Sequence, residues 1–118
     1  MGETGFVFYL PANCVPAKDP PRFVHGGQRW TCGTVGVDLA WGMWGPGSFA
    51  GGGRQCRGRI GTTDVLETRS DDGQEPRLVV WYRIGEVHEP ILSAWSTVAA
   101  DAQVIDAITH SGTVVGAR

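Results

Sequence analysis

Most of the chain shows apolar positions at a spacing of two, in short runs, and this pattern predicts β-strands. In the stretch GFVFYLP, Phe6, Phe8 and Leu10 fall on one face of a predicted strand. Val7 and Tyr9 fall on the other face. Because both faces are apolar, we expect both of them to be covered in the folded protein.

The most regular part of the pattern is a pair of strand-like runs on either side of a polar turn. Residues 57–69 and 77–84 flank the segment SDDG at 70–73, whose side chains favour a turn. This arrangement predicts a hairpin with a loop longer than two residues. On its second strand, Val79 and Trp81 lie on a face that we expect to be half covered. The opposite face is the predicted core: Leu78, Val80, Tyr82 and Ile84.

Two more short strands are predicted around Arg29–Cys32 and Thr34–Leu39, separated by glycine. Residues 11–22 carry four prolines, which a helix or a central strand does not tolerate, so they predict an extended arm or loop. Residues 41–56 are rich in glycine and tryptophan and predict a second long loop.

Helical spacing occurs only near the C-terminus, in the stretch STVAADAQVIDAITHSG at 96–112. Thr97 or Asp101 is the predicted N-cap, and Gly112 is the predicted residue just beyond the C-terminal end of the helix. A last short strand is predicted at 113–115. The apolar residues of the helix recur at intervals of three or four: Val98, Ala102, Ile105 and Ile108.

Length and composition indicate one folded domain. The chain has 118 residues, of which 42% are hydrophobic and 19% are charged, and this balance supports a core without cross-links. We therefore predict a single α+β domain over residues 1–118. It is built from short antiparallel strands, in a barrel or sandwich, with one C-terminal helix.

Charge and apolar length restrict the partners and the location. The net charge is −2, which argues against nucleic acid as a partner. The N-terminal stretch lacks a basic region, and no apolar run is long enough for a membrane helix, so neither a signal peptide nor a membrane span is predicted. Three cysteines predict free thiols in a reducing compartment, so we expect a soluble protein of the cytoplasm or a virion. Nine arginines against one lysine indicate a GC-rich source.

The stretch WGMWGPGSFAGGGRQCRGR at 41–59 combines aromatic side chains and arginines with many glycines. Trp and Arg dominate the energetics of protein interfaces, and loops often carry recognition. We therefore expect this stretch to dock into a partner, through Trp41, Trp44, Phe49, Arg54, Arg57 and Arg59. Two alternatives are that the aromatic side chains fold back onto the domain's own core, or that the tryptophans stack on a sugar.

Candidate catalytic and metal-binding residues are few. Glu86 and His88, two positions apart in GEVHEP, are the alternative catalytic pair, because a carboxylate beside a histidine can make a general base. Cys14, His25 and Cys32 are the alternative metal ligands, although no two cysteines show the spacing of structural zinc sites. The stretch GPGSFAGGGR lacks both the Lys-Ser/Thr of a phosphate loop and a following helix. No cofactor is predicted.

These residues favour a non-enzymatic protein that works by contact with copies of itself or with other subunits of an assembly. The specific prediction is a phage virion component, either a head decoration protein or a head–tail or tail connector, and it rests on size, build and source composition. The second hypothesis is a small enzyme or ligand-binding β-barrel that uses the glycine-rich loop with Glu86 and His88. The third is a nucleic-acid-binding or regulatory module that uses Arg54, Arg57 and Arg59.

Overall fold

The computed structural model describes residues 5–17, 26–41, 54–70, 75–84 and 87–115. Within them, nine strands, a short 3₁₀ turn and one α-helix follow each other along the chain. The strands are β1 (Gly5–Val7), β2 (Cys14–Pro16), β3 (Gly26–Cys32), β4 (Val35–Trp41), β5 (Arg54–Ile60), β6 (Thr63–Ser70), β7 (Arg77–Ile84), β8 (Val87–Ser96) and β9 (Thr113–Val115). The 3₁₀ turn is Ala99–Asp101, and the helix α1 is Ala102–Thr109.

Seven of the strands form one antiparallel sheet in the order β2-β3-β4-β8-β7-β6-β5. The remaining two, β1 and β9, pair antiparallel and join the beginning of the described chain to its end. Consecutive strands of the large sheet are neighbours, except that β4 lies against β8. The predicted class, a β-rich α+β domain with one C-terminal helix, is therefore confirmed.

Two hairpins of the large sheet close with the same dipeptide, Gly-Thr. Gly33 and Thr34 connect β3 to β4, and Gly61 and Thr62 connect β5 to β6. The two glycines have φ of +66° and +62°, which matches the first central position of a type II′ hairpin turn. The prediction of one strand over residues 57–69 is therefore wrong, because this run is divided between β5 and β6. The hairpin of β6 with β7 is confirmed.

One face of the large sheet, here called the helix face, is covered by α1, which packs against β7 and β8. Leu78, Val80 and Tyr82 have no exposed surface, so these three predicted core positions are confirmed, while Ile84 is half-buried. Phe6 of β1 and Phe8 just after it pack against the same core.

The expectation that both sides of the first strand are covered is wrong. Val7 and Tyr9 are about half exposed, at 55% and 53%, although Phe6 and Phe8 on the other side pack onto the core. The reason is that β1 belongs to a small two-stranded sheet with β9, and only one face of that sheet meets the large one.

The helix is shorter than its periodic pattern predicts. Val98 is exposed and precedes the 3₁₀ turn, whereas Ile105 and Ile108 are buried as predicted. Asp101 occupies the N-cap position without capping the helix, because its carboxylate instead accepts hydrogen bonds from Thr34 and Ser96. These bonds hold the pKa of Asp101 below its usual value.

Gly112 lies beyond the C-cap of α1 and has a packing role. A Cβ at this position would lie 2.4 Å from Phe6 Cζ and 2.5 Å from Tyr82 Cζ, so only glycine fits. Its N–H donates a hydrogen bond of 3.0 Å to the hydroxyl of Tyr82, which in turn donates to the carbonyl of Thr109. Burial raises the pKa of Tyr82 to about 12. The predicted closing strand follows as β9 and is confirmed.

The opposite face of the large sheet, here called the second face, has its own small apolar cluster. Val79, Trp81 and Ile91 are buried there, and Leu66 packs against them. Trp81 has no exposed surface, so this side of β7 is covered more completely than the half coverage expected from the sequence.

Candidate functional site

The predicted contact residues do not form one patch in the described structure. Trp41 ends β4 and is 42% exposed, while Arg57 and Arg59 are exposed on β5. Four strand spacings of ~4.8 Å separate β4 from β5, so Trp41 lies about 19 Å away across the sheet. Trp44 and Phe49 lie outside the described residues.

The two long loops predicted from the sequence are shorter than expected. Strand structure extends into residues 41–56 from both sides, through Trp41 on β4 and residues 54–56 on β5. In the proline-rich segment 11–22, residues Cys14–Pro16 form β2, an edge strand, which proline tolerates.

Strand β5 is the second edge of the large sheet, and within the described chain it pairs with β6 alone. Ile60 and Thr63 close a two-residue hairpin, so they form a hydrogen-bonded pair, and the pairs alternate from there. Arg57 and Arg59 consequently direct their backbone N–H and C=O groups away from β6. The side chains of these two arginines also share one face of the strand.

Beside this edge lies a shallow hollow of about 310 Å³ on the second face. Arg59 makes an ion pair of 3.2 Å with Asp64, and both side chains are largely exposed. Arg57 has no ion pair among the described residues. The lining residues are Arg57, Gly58, Asp64, Val65, Leu66 and Arg83. The third predicted arginine, Arg54, begins β5, and its side chain lies outside the described part.

The cysteines differ from the expectation of free thiols. Cys14 on β2 and Cys32 on β3 lie directly opposite each other, with Cα atoms 4.0 Å apart, and form a disulfide. Only Cys56 is free in the described chain, and it is exposed on β5. A disulfide leaves no thiolate to bind a metal, so in this structure Cys14 and Cys32 are not available to the alternative site with His25. His25 lies outside the described residues.

The disulfide also removes the basis on which the sequence indicates a reducing compartment, since stable disulfides are typical of oxidising environments. The cytoplasm or a virion stays a prediction. Among the described residues, no helix has the length and apolar character needed to cross a membrane.

The alternative catalytic pair falls mostly outside the described structure. Glu86 lies outside it, and His88 is placed opposite Arg83 in the β7–β8 ladder without a described side chain. The histidine–carboxylate pair that the fold does form is His110 with Glu67, whose Nε2 and Oε1 atoms are 3.0 Å apart. Within the described residues, no three His, Cys, Asp or Glu side chains are grouped as metal ligands would be.

The structure reveals a cleft that sequence reasoning missed. It has a volume of about 440 Å³ and lies on the second face, over β8 and its neighbour β7, where Arg29 reaches across β4 from β3. Trp95 is at its centre, with the guanidinium carbon of Arg29 at 4.9 Å and that of Arg77 at 5.6 Å from the ring centroid. The lining residues are Arg29, Ser70, Glu75, Arg77, Trp95, Ser96 and Thr97. These residues come from distant parts of the chain and no local motif joins them.

No protein-family model, no curated protein and no solved structure matches this chain.

Proposed function

We propose that this chain is a non-enzymatic binding subunit that holds an acidic, extended segment of a partner protein by strand addition at β5. The observation that supports this function is the outer edge of β5, seven residues long, which no other described strand pairs with and which carries two exposed arginines. Strand addition uses backbone hydrogen bonds for affinity and alternate side chains for specificity.

The backbone and the side chains of β5 favour the same partner. Arg57 and Arg59 offer outward N–H and C=O groups, and their guanidinium groups lie on one face of the strand. A partner strand in antiparallel register places every second side chain beside these arginines. Glutamate or aspartate at those positions would form opposite-charge cross-strand pairs.

A second copy of this chain is a poorer partner for the same edge. If two β5 strands paired antiparallel about Gly58, Arg57 of each would face Arg59 of the other, and like charges in opposite positions are destabilising. We therefore propose another subunit of an assembly as the partner at β5, and contacts between copies would use a different surface. The narrower prediction of a phage virion component stays a prediction from size, build and composition.

The test measures binding of fluorescein-labelled peptides to the full chain by fluorescence anisotropy. One peptide alternates Val with Glu, and its matched control alternates Val with Lys. We expect saturable binding of the Glu peptide and none of the Lys peptide. Equal binding of the two peptides would contradict the role of charge.

Two substitutions of one residue separate the backbone contribution from the charge. Arg57→Ala removes the guanidinium, and we expect the affinity to fall roughly 2- to 5-fold, the size of one cross-strand pair. Arg57→Pro removes the guanidinium and also the outward N–H, which an edge strand tolerates. It should bind still more weakly than Arg57→Ala. If the two variants bind alike while both unfold at the temperature of the parent chain, the peptide does not add to β5 as a strand.

A further inference from the structure

We propose that the cleft around Trp95 is an oxyanion-binding site, which accepts a phosphate, sulfate or carboxylate group between Arg29 and Arg77. This site is distinct from the β5 edge, because it shares no lining residue with the hollow beside that edge, although both lie on the second face. Its ligand is defined by two guanidinium groups that converge on one indole ring.

The indole of Trp95 is held in place by a glycine on the neighbouring strand. Trp95 on β8 pairs with Gly36 on β4, and a Cβ at Gly36 would lie 2.5 Å from both Cε2 and Cζ2 of the ring. The ring therefore lies against the backbone of β4, where any other residue would displace it. A half-buried aromatic ring in fixed contact with the sheet is a rigid platform for the groups around it.

Arg29 reaches the ring from one side and is fixed by a carboxylate. Its Nε and Nη2 atoms donate hydrogen bonds of 2.6 and 2.8 Å to the two carboxylate oxygens of Asp38. This bonding holds the pKa of Arg29 above its usual value. Among the described residues its Nη1 atom makes no hydrogen bond, so two further N–H donors remain available in a fixed direction.

Arg77 reaches the ring from the other side, and it contributes the charge. Within the described part of the chain, no carboxylate lies within ion-pair distance of Arg77. The attraction between a guanidinium and an aromatic ring is weak by itself. Two guanidiniums drawn to one ring repel each other, so the arrangement is favourable when an anion lies between them. Planar guanidinium donors match the oxygens of phosphate and carboxylate groups.

The other lining groups define how strong the site is. Ser70 and Thr97 place hydroxyl groups in the cleft, and hydroxyls donate well to oxyanions. The hydroxyl of Ser96 is already used, because it donates to Asp101 and accepts from the N–H of Val98. Among the described lining residues Glu75 is the one carboxylate; it is exposed, and it competes with a bound anion. We therefore expect weak binding that strengthens when Glu75 is neutralised.

The experiment titrates the ¹⁵N-labelled full chain with inorganic phosphate at constant ionic strength, with chloride as the compensating salt. The signals followed are the indole N–H of Trp95, assigned with Trp95→Phe, and the Nε–H groups of the arginines. We expect both the Trp95 and the Arg77 signals to shift and to saturate. Shifts that grow linearly, or that chloride alone reproduces, would overturn the proposal.

The same titration compares the phosphate affinity of three variants. Arg77→Ala should weaken phosphate binding by about fivefold or more, consistent with the loss of one charged hydrogen-bond donor. Glu75→Gln should strengthen it about 2- to 5-fold, because it removes a neighbouring negative charge. The matched control is Arg69→Ala, which removes an exposed arginine that pairs with Asp106 on the helix face, and it should leave binding unchanged. Equal losses in Arg77→Ala and Arg69→Ala, or no gain in Glu75→Gln, would show general attraction to a basic surface and refute the site.

A parallel titration with acetate distinguishes the two geometries of oxyanion. Tighter binding of phosphate supports a tetrahedral ligand, and tighter binding of acetate supports a carboxylate, such as an acidic side chain or a chain terminus. Either result supports the site when Arg77→Ala weakens that binding about fivefold or more. Saturation by neither anion would contradict it.

Discussion

The two edges of the large sheet are protected in different ways against pairing with a further strand. At one edge, β2 is three residues long and is cross-linked to its neighbour by the disulfide of Cys14 and Cys32. Its outward donors are also removed, because the N–H of Cys14 donates to the carbonyl of Pro11 at 3.1 Å, and Pro16 has no N–H. At the other edge, β5 is seven residues long, has no proline and carries exposed arginines.

The difference shows which edge remains available to a partner. A short strand whose outward N–H groups are used or missing has no donors for another strand, whereas charge excludes only strands without the opposite charge. We therefore expect the β2 edge to be closed and the β5 edge to be selective. This is the structural basis for placing the proposed binding function at β5.

Among the changes that test this comparison, removal of the disulfide at the β2 edge should lower the free energy of unfolding most. Cys14 and Cys32 are 18 residues apart, and a cross-link over such a loop stabilises the folded state by about 3 kcal/mol. We expect the double substitution of both cysteines by alanine to lower the free energy of unfolding by that amount in urea denaturation. A reductant should reproduce the loss in the parent chain. The control is Cys56→Ser, which should change neither the stability nor its dependence on reductant.

The two Gly-Thr turns provide a matched pair at the two edges. Gly33→Ala and Gly61→Ala each force a side chain into left-handed backbone, at a cost of about 1–2 kcal/mol. Near the β2 edge, the added Cβ of Gly33→Ala also meets Asn13 Nδ2 at 3.1 Å, while at Gly61 nothing lies within 4 Å. Thermal unfolding should therefore show a larger loss for Gly33→Ala. An equal or smaller loss would mean that the packing around Asn13 adjusts freely.

The ion pair near the β2 edge should also stabilise the folded state more than the ion pair at the β5 edge. Arg29 and Asp38, next to β2, form two short hydrogen bonds with the carboxylate mostly shielded, and Asp38→Asn should cost about 1–2 kcal/mol. Arg59 and Asp64 at β5 form one longer contact in solvent, and Asp64→Asn should cost less than about 1 kcal/mol. Urea denaturation at low and high salt checks both values. The loss at Asp64 should disappear at high salt, and a loss that persists would show that the contact is shielded.

The smallest change in stability is expected when the charge on β5 is removed. Replacing Arg57 and Arg59 together by threonine should alter the free energy of unfolding by no more than about 0.5 kcal/mol, because both side chains are exposed. The β5 edge then loses the charge that opposes pairing between copies, and we expect concentration-dependent self-association in sedimentation velocity. Replacement of both by lysine keeps the charge and should keep the chain in the parent's association state. Association of the lysine variant would argue against protection by charge.

The local patterns predict the elements that depend on neighbouring residues. Alternation over 77–84 identifies β7 and its buried face, the spacing of Ile105 and Ile108 identifies α1, and the polar segment at 70–73 identifies the β6–β7 connection. The division between β5 and β6 also had a local signal, since glycine at the first position of a two-residue loop is typical of a type II′ turn. Gly61-Thr62 carries that signal as clearly as Gly33-Thr34.

The candidate sites are predicted less completely, for a physical reason. The sequence identifies Arg57 and Arg59 as contact residues, and the proposal at β5 uses both. It gives no indication of Trp95 or Arg77, because a tryptophan or arginine within a strand is compatible with many surroundings. Their association depends on which strands become neighbours, and this is decided by packing over long separations along the chain.

By itself, the sequence determined the fold class, the buried face of β7, the C-terminal helix and the strand that follows it. These features arise from side-chain periodicity, turn chemistry and helix-end residues, all of which act over a few residues. Only the tertiary structure decided that β4 lies against β8, that Cys14 meets Cys32, and that β5 is the last of the described strands in the large sheet. Those outcomes depend on strand order and register, which are selected by the burial of many side chains at once and leave no local pattern.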